Sequence, residues 1–175
     1  MKEENKKFMK MALEDLESSK ILYENGKYSQ SIFLLQQSVE KTTKGITGIF
    51  ERNHRTLNIY KNMVDDDLKE EMKILEDTPV DNEKIFLAII EVIKSLLSDM
   101  NSLESPLKVG KITAPNFLLQ QILSQHASLT RYPKGEYNPL DRYTSDYFLI
   151  KHYNKIYDLQ KGCLDECFKF VQPKP

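Results

Sequence analysis

The chain has no tryptophan, and its 175 residues include only two cysteines, six glycines and seven prolines. Each shortage removes a class of architecture. Cys163 and Cys167 stand four apart in a helical-looking stretch with no second ligand pair nearby. They cannot supply a disulfide framework or a zinc site, and they read as reduced thiols in or beside a core. The few glycines and prolines fall at a handful of places, which favours long helices over many short strands. There is no glycine-rich phosphate loop of either common kind, no internal repeat, no low-complexity block and no alternation of strand with helix patterns. Charge of one sign is also lacking. Lysine and arginine number 25 against 26 aspartates and glutamates, a net charge of -1. The molecule therefore lacks the overall basic field of a dedicated duplex binder, and nucleic acid would need a local patch. Met1 to Lys10 is charged and has no apolar core of signal-peptide length, so the expected location is the cytoplasm.

What is present is one domain's worth of amphipathic helix, with residues 1–175 read as a single domain and 172–175 as a tail. Met9, Ala12, Leu13, Leu16 and Tyr23 recur at three- and four-residue steps and mark a first helix ending at Asn25-Gly26. A second helix follows almost at once, from about Ser29 to Phe50, and so short a connection makes the two antiparallel neighbours. Gly45 and Gly48 weaken its last turns or let another helix approach closely. A third helix is expected from Leu57 to Glu76. A fourth, from Glu83 to Leu103, is apolar on nearly every side, yet its apolar run is shorter than the roughly 20 residues a bilayer needs. It is expected to be a central core helix or a partner face built on Ile85, Phe86, Ile89 and Ile93. Ser105 to Lys111 reads as a loop, and Pro115 as the first turn of a fifth helix. Arg131 to Arg142 reads as an irregular loop, and Thr144 to Phe170 as a final helix. The fold class is therefore all-α, an up-and-down bundle of five to six helices.

Two clusters are candidates for an anion. Glu51-Arg52-Asn53-His54-Arg55 follows the second helix, where Arg52, His54 and Arg55 could hold a phosphate through bidentate contacts. Their competing role is to cap helix ends. In Arg131-Tyr132-Pro133 the guanidinium can meet an anion and Tyr132 can offer a stacking face. The competing structure pairs Arg131 with a buried carboxylate such as Glu40. No histidine has metal-ligand spacing with a carboxylate, so neither metal nor cofactor is expected.

Three segments in order carry a resemblance: Ala12 to Tyr28; Ser31 to Lys41, with its Gln36-Gln37, Ser38 and Glu40-Lys41; and Leu129-Thr130-Arg131-Tyr132-Pro133 before a long terminal helix. Together they resemble the HEPN superfamily, in the branch with an Arg-Tyr-Pro element. Residues 65–112 look like a family-atypical insertion. The resemblance implies a helical bundle that pairs into a homodimer. It also implies work with a minimal nucleotidyltransferase as partner, in toxin–antitoxin or defence systems. Many members cut RNA with an arginine, four to six intervening residues and a histidine on one helix, a pairing that supplies a base for the ribose hydroxyl and a cation for the developing charge. That spacing is missing. Arg52 to His54 is too tight, Arg142 to His152 too long, and His126 to Arg131 runs in reverse. The expectation is a non-catalytic, nucleotide-, RNA- or partner-binding module without membrane attachment. The alternatives are an endoribonuclease that joins His54 to Arg131 across helices, and a purely structural helical protein.

Overall fold

Glycine at a left-handed position sets the first corner of the molecule. The computed structural model describes residues 3–50, 83–98 and 105–171, and of 47–50, 105–112 and 170–171 the backbone alone. Helix α1 (Glu3–Glu24) ends in a Schellman turn. Gly26 at φ 70° sends its N–H to the Tyr23 carbonyl at 3.0 Å, and Lys27 sends its own to Leu22 at 2.8 Å. Two orphan carbonyls are thereby satisfied, and the chain reverses into α2 (Tyr28–Phe50). The hairpin packs tightly because small residues face each other. The Ser31 hydroxyl donates to the Ser19 carbonyl at 2.9 Å. A Cβ at Gly45 would sit 2.8 Å from Met9 Cε, so the expected close approach at Gly45 is realised between α1 and α2. Lys41 of α2 pairs with Asp15 of α1 across the same face.

Helix α3 (Glu83–Ser98) buries Phe86, Ile89, Ile90 and Ile93 against α4 (Ser105–Ser124) and α8 (Tyr153–Val171). This corrects the proposed partner face. Phe86, Ile89 and Ile93 lie in the chain's own core, Phe86 edge-on to Phe148 at 5.3 Å, and only Ile85 of the four stays exposed. In α4 the proline that starts the helix is Pro106, in the first turn where no N–H is needed, so Ser105 to Lys111 is helical rather than a loop. Pro115 falls in the interior, where it denies a donor to the Lys111 carbonyl while the helix continues. Three one-turn helices follow among the described residues: α5 (His126–Leu129), α6 (Pro139–Arg142) and α7 (Phe148–Lys151). The final helix is thus shorter than expected. Thr144 to Tyr147 form a turn, and His152 interrupts α7 and α8 at φ -104°, ψ 11°.

Helix α8 closes the bundle on α1 and α2. Tyr153, Ile156, Leu159, Cys163, Leu164 and Cys167 enter the core at helical steps. Along α1, the hydroxyls of Ser19 and Tyr153 share a hydrogen bond of 2.5 Å, Tyr23 stacks on Tyr153 at 4.0 Å, and Lys20 reaches Asn154 at 2.6 Å. Toward α2, the buried Gln160 amide donates to Ser38 at 3.1 Å and to Thr42 at 2.8 Å. A buried carboxamide that meets two hydroxyls fixes the rotation of α8, since its donors would otherwise be left without partners. The expected third helix, Leu57 to Glu76, the cluster Arg52, His54 and Arg55, and the 172–175 tail lie outside the described residues.

Candidate binding site

At one end of the bundle the start of α2 meets α5 and the segment 131–147. Helix α5 ends where the Thr130 and Arg131 N–H groups return to His126 and Ser128, both at 3.1 Å. The buried Ser29 hydroxyl donates to the Thr130 carbonyl at 2.5 Å and ties this corner to α2. Arg131 Nε donates to the Ala127 carbonyl at 2.9 Å. Its guanidinium lies 4.7 Å from the Phe33 ring centre and 5.0 Å from that of Tyr132. One hydrogen bond and two rings hold the cation in place, an arrangement favoured by the attraction of a guanidinium for aromatic faces. No carboxylate pairs with Arg131 among the described residues. The competing partner, Glu40, is instead bound by Lys44 at 2.6 Å, by Gln36 and by Gln37. The Lys44 hydrogen bond is the largest influence that holds the Glu40 carboxyl below its usual range, and burial opposes it.

Two clefts adjoin at this end, one of them lined by Arg131. One of about 420 Å³ is lined by Phe33, Arg131, Pro133, Pro139 and Leu140, with Thr130 and Asn138 at its edge. The second, of about 490 Å³, runs past Lys27, Tyr28, Tyr143 and Thr144. Ser29, Gln30 and Leu140 line both, so they form adjoining parts of one groove over the start of α2.

The segment 131–147 is a strap rather than an irregular loop. Lys134 and Tyr137 exchange backbone hydrogen bonds of 3.0 Å around Gly135, whose φ is +61°. Asn138 Oδ1 then accepts from Leu140 N at 3.1 Å and caps α6, with Pro139 at its start. Tyrosines pin the strap from beneath. Tyr137 donates to the Leu129 carbonyl at 2.6 Å. The Tyr143 hydroxyl and His126 Nδ1, both buried, lie 2.5 Å apart. Burial, followed by the neighbouring Tyr137 and Tyr147 phenols, pushes the Tyr143 hydroxyl far above the ordinary phenol range, against the opposing pull of Arg142. Arg142 turns inward, with its guanidinium 5.2 Å from the Tyr147 ring centre and 3.2 Å from that phenol's oxygen.

Of the expected anion ligands, the structure places Arg131 in the lining of the groove and the Tyr132 ring against the Arg131 guanidinium, outside that lining. Arg52, His54 and Arg55 lie outside the described residues. Two features had no sequence signal, the Phe33 ring under Arg131 and the His126–Tyr143 pair, because each joins separate segments. Replacing His126 with leucine is expected to remove the buried imidazole partner of the Tyr143 hydroxyl and to cost about 1–3 kcal/mol. It should also speed amide hydrogen exchange across 131–147. Exchange as slow as in the wild type would show that the pair does not hold the strap.

Such a molecule is an all-α antiparallel bundle with an arginine-centred groove at one end. The HEPN domain family model matches residues 6–163, and the chain belongs to that family. Over 148 residues it is 30% identical to a protein of Methanocaldococcus jannaschii named "Putative toxin MJ1304", an alignment that covers 81% of this chain and 74% of that protein. No solved structure matches the chain at a significant level. No helix among the described residues is long and apolar enough to cross a membrane.

Proposed function

We propose that this chain is a non-catalytic HEPN-type module that works by binding. Its contact surface is the Arg131 groove, and its ligand is a nucleotide, an RNA or a protein partner such as a minimal nucleotidyltransferase. The observation that carries this reading is the state of Arg131, which is exposed and fixed between Phe33 and Tyr132 with no carboxylate among the described residues to neutralise it. A cation so prepared is suited to an incoming anion. The sequence itself weighs against cleavage, since no arginine is followed by a histidine after four to six intervening residues. Both described histidines are engaged, His126 with Tyr143 in the core and His152 with Glu83 at 2.8 Å. The toxin–antitoxin or defence-like setting rests on the name of the M. jannaschii relative. Pairing into a homodimer and a cytoplasmic location belong to the same reading.

The test is RNA cleavage by the purified chain beside its His54→Ala and Arg131→Ala variants, with substrate RNA in excess. The expected result is no product above the background of the variants. Cleavage by the wild type that both substitutions abolish would replace this reading with an endoribonuclease assembled from separate helices.

A further inference from the structure

We infer that the groove at Arg131 takes an acidic peptide segment of a partner protein, with a carboxylate on the Arg131 guanidinium and an adjacent apolar side chain against Phe33, Pro139 and Leu140. The inference rests on the reading that this end of the bundle is the contact surface. The cation comes first. With Nε committed to the Ala127 carbonyl, both Nη groups of Arg131 are left without a hydrogen bond among the described residues. Two parallel N–H donors on a plane held between aromatic rings match the two oxygens of one carboxylate.

The walls beside it are apolar. Leu140, in the lining, is 71% exposed, and Tyr132, which flanks Arg131 outside the lining, is 59% exposed, which puts both among the three most exposed large hydrophobic side chains of the described residues. Half-buried Phe33 and exposed Pro133 continue that surface into the cleft of about 420 Å³, whose lining also includes the buried Pro139. Arginine and tyrosine set among apolar neighbours make up the composition of interfacial hot spots. Gln30, exposed and shared by both clefts, offers a carboxamide to a peptide backbone.

The charge pattern favours a peptide over a nucleic acid. Along 131–147 the cations Arg131, Lys134 and Arg142 are balanced by Glu136, Asp141 and Asp146, and Arg142 is turned toward Tyr147. Polyanion binding relies on several cations, each neutralising a phosphate. One pinned guanidinium, with exposed Lys27 and Lys134 at the margins, instead complements a short acidic segment that also carries an apolar anchor.

A library of random peptides displayed on phage, selected on the immobilised full chain, tests this directly. Enriched peptides are expected to share an aspartate or glutamate beside a leucine, phenylalanine or isoleucine. A fluorescein-labelled copy of the best one should bind roughly 30-fold more weakly to Arg131→Gln and to Leu140→Asp, the loss typical of a hot-spot residue. Both residues are exposed, so melting temperatures should match the wild type and separate lost binding from lost folding. Failure to enrich peptides, a consensus without an acid, or binding indifferent to Arg131→Gln would each overturn the inference. A labelled single-stranded RNA run beside the peptide distinguishes the two levels of the argument. RNA binding lost in Arg131→Gln, with no peptide selected, would sink the peptide inference and leave the binding reading intact. If neither peptide, RNA nor nucleotide depends on Arg131, both fall.

Discussion

Replacing Phe86 with alanine is expected to lower the unfolding free energy by about 3–5 kcal/mol, the range for removing a fully buried aromatic ring. Phe86 has no exposed surface, stacks near His152 at 5.6 Å and meets Phe148 edge-on. Urea unfolding of the full chain would show the loss as a lower midpoint with an unchanged slope. Ile85→Ala on the same helix removes a side chain that is 44% exposed and should cost far less. Equal effects at the two positions would mean that α3 presents a different face, and would restore Phe86 as a candidate for a partner surface.

Alkaline pH should unfold the protein steeply. Burial is the main cause that pushes the Cys167 thiol up to about 12, and it drives Cys163 higher still. The Tyr153 phenol is raised to about 12, again chiefly by burial, while its bond to Ser19 pulls the other way. Tyr143 is raised further. The unfolded chain releases cysteine protons near pH 9.0 and tyrosine protons near 10.0. Between those values and the folded ones, the unfolded state binds fewer protons, so rising pH draws the equilibrium toward it. Below pH 9 these groups contribute their full stability. Above the unfolded value of its own type each raised group removes about 1.4 kcal/mol per pH unit, so from pH 9 the two thiols alone remove about 3 per unit, and the phenols join only above pH 10. Urea midpoints from about pH 8 to about pH 10 measure the slope, and alanine at both cysteines should flatten it even if the starting stability is lower. An unchanged slope in the double variant would show that these thiols do not stay protonated in the folded chain.

The parts of the fold that were legible in the sequence are those decided locally. The α1–α2 hairpin is written in apolar residues at helical spacing and in Asn25-Gly26, because a positive φ at a helix end is a requirement that glycine meets without help from the rest of the chain. The Arg131-Tyr132 pair could be singled out because its chemistry is distinctive wherever it lies. What depends on tertiary neighbours was not legible. Helix α3 is apolar around most of its surface, and such a helix reads alike whether it enters its own core or meets another chain; only the packing of α4 and α8 decides. Pro106 and Pro115 are both plausible helix starts, and the second lies inside a helix because tertiary contacts on either side outweigh one missing donor. The strap reads as irregular chain in the sequence because its order comes from Tyr137 and Tyr143 reaching back to Leu129 and His126, contacts that no periodicity announces. For the same reason, nothing in the sequence placed Phe33 beneath Arg131.

The bond between Ser19 and Tyr153 spans 134 positions of chain, whereas the Schellman turn joins neighbours. That contrast separates a local joint from a long-range one. The hairpin of α1 and α2 needs only a short loop closed and can form on its own timescale, while the seam with α8 must bring distant segments together at a closure cost that grows with the logarithm of their separation. The seam closed by Tyr153 and Gln160 is thus the long-range joint of the bundle, where serine and threonine hydroxyls that water would otherwise hold are paired inside the chain.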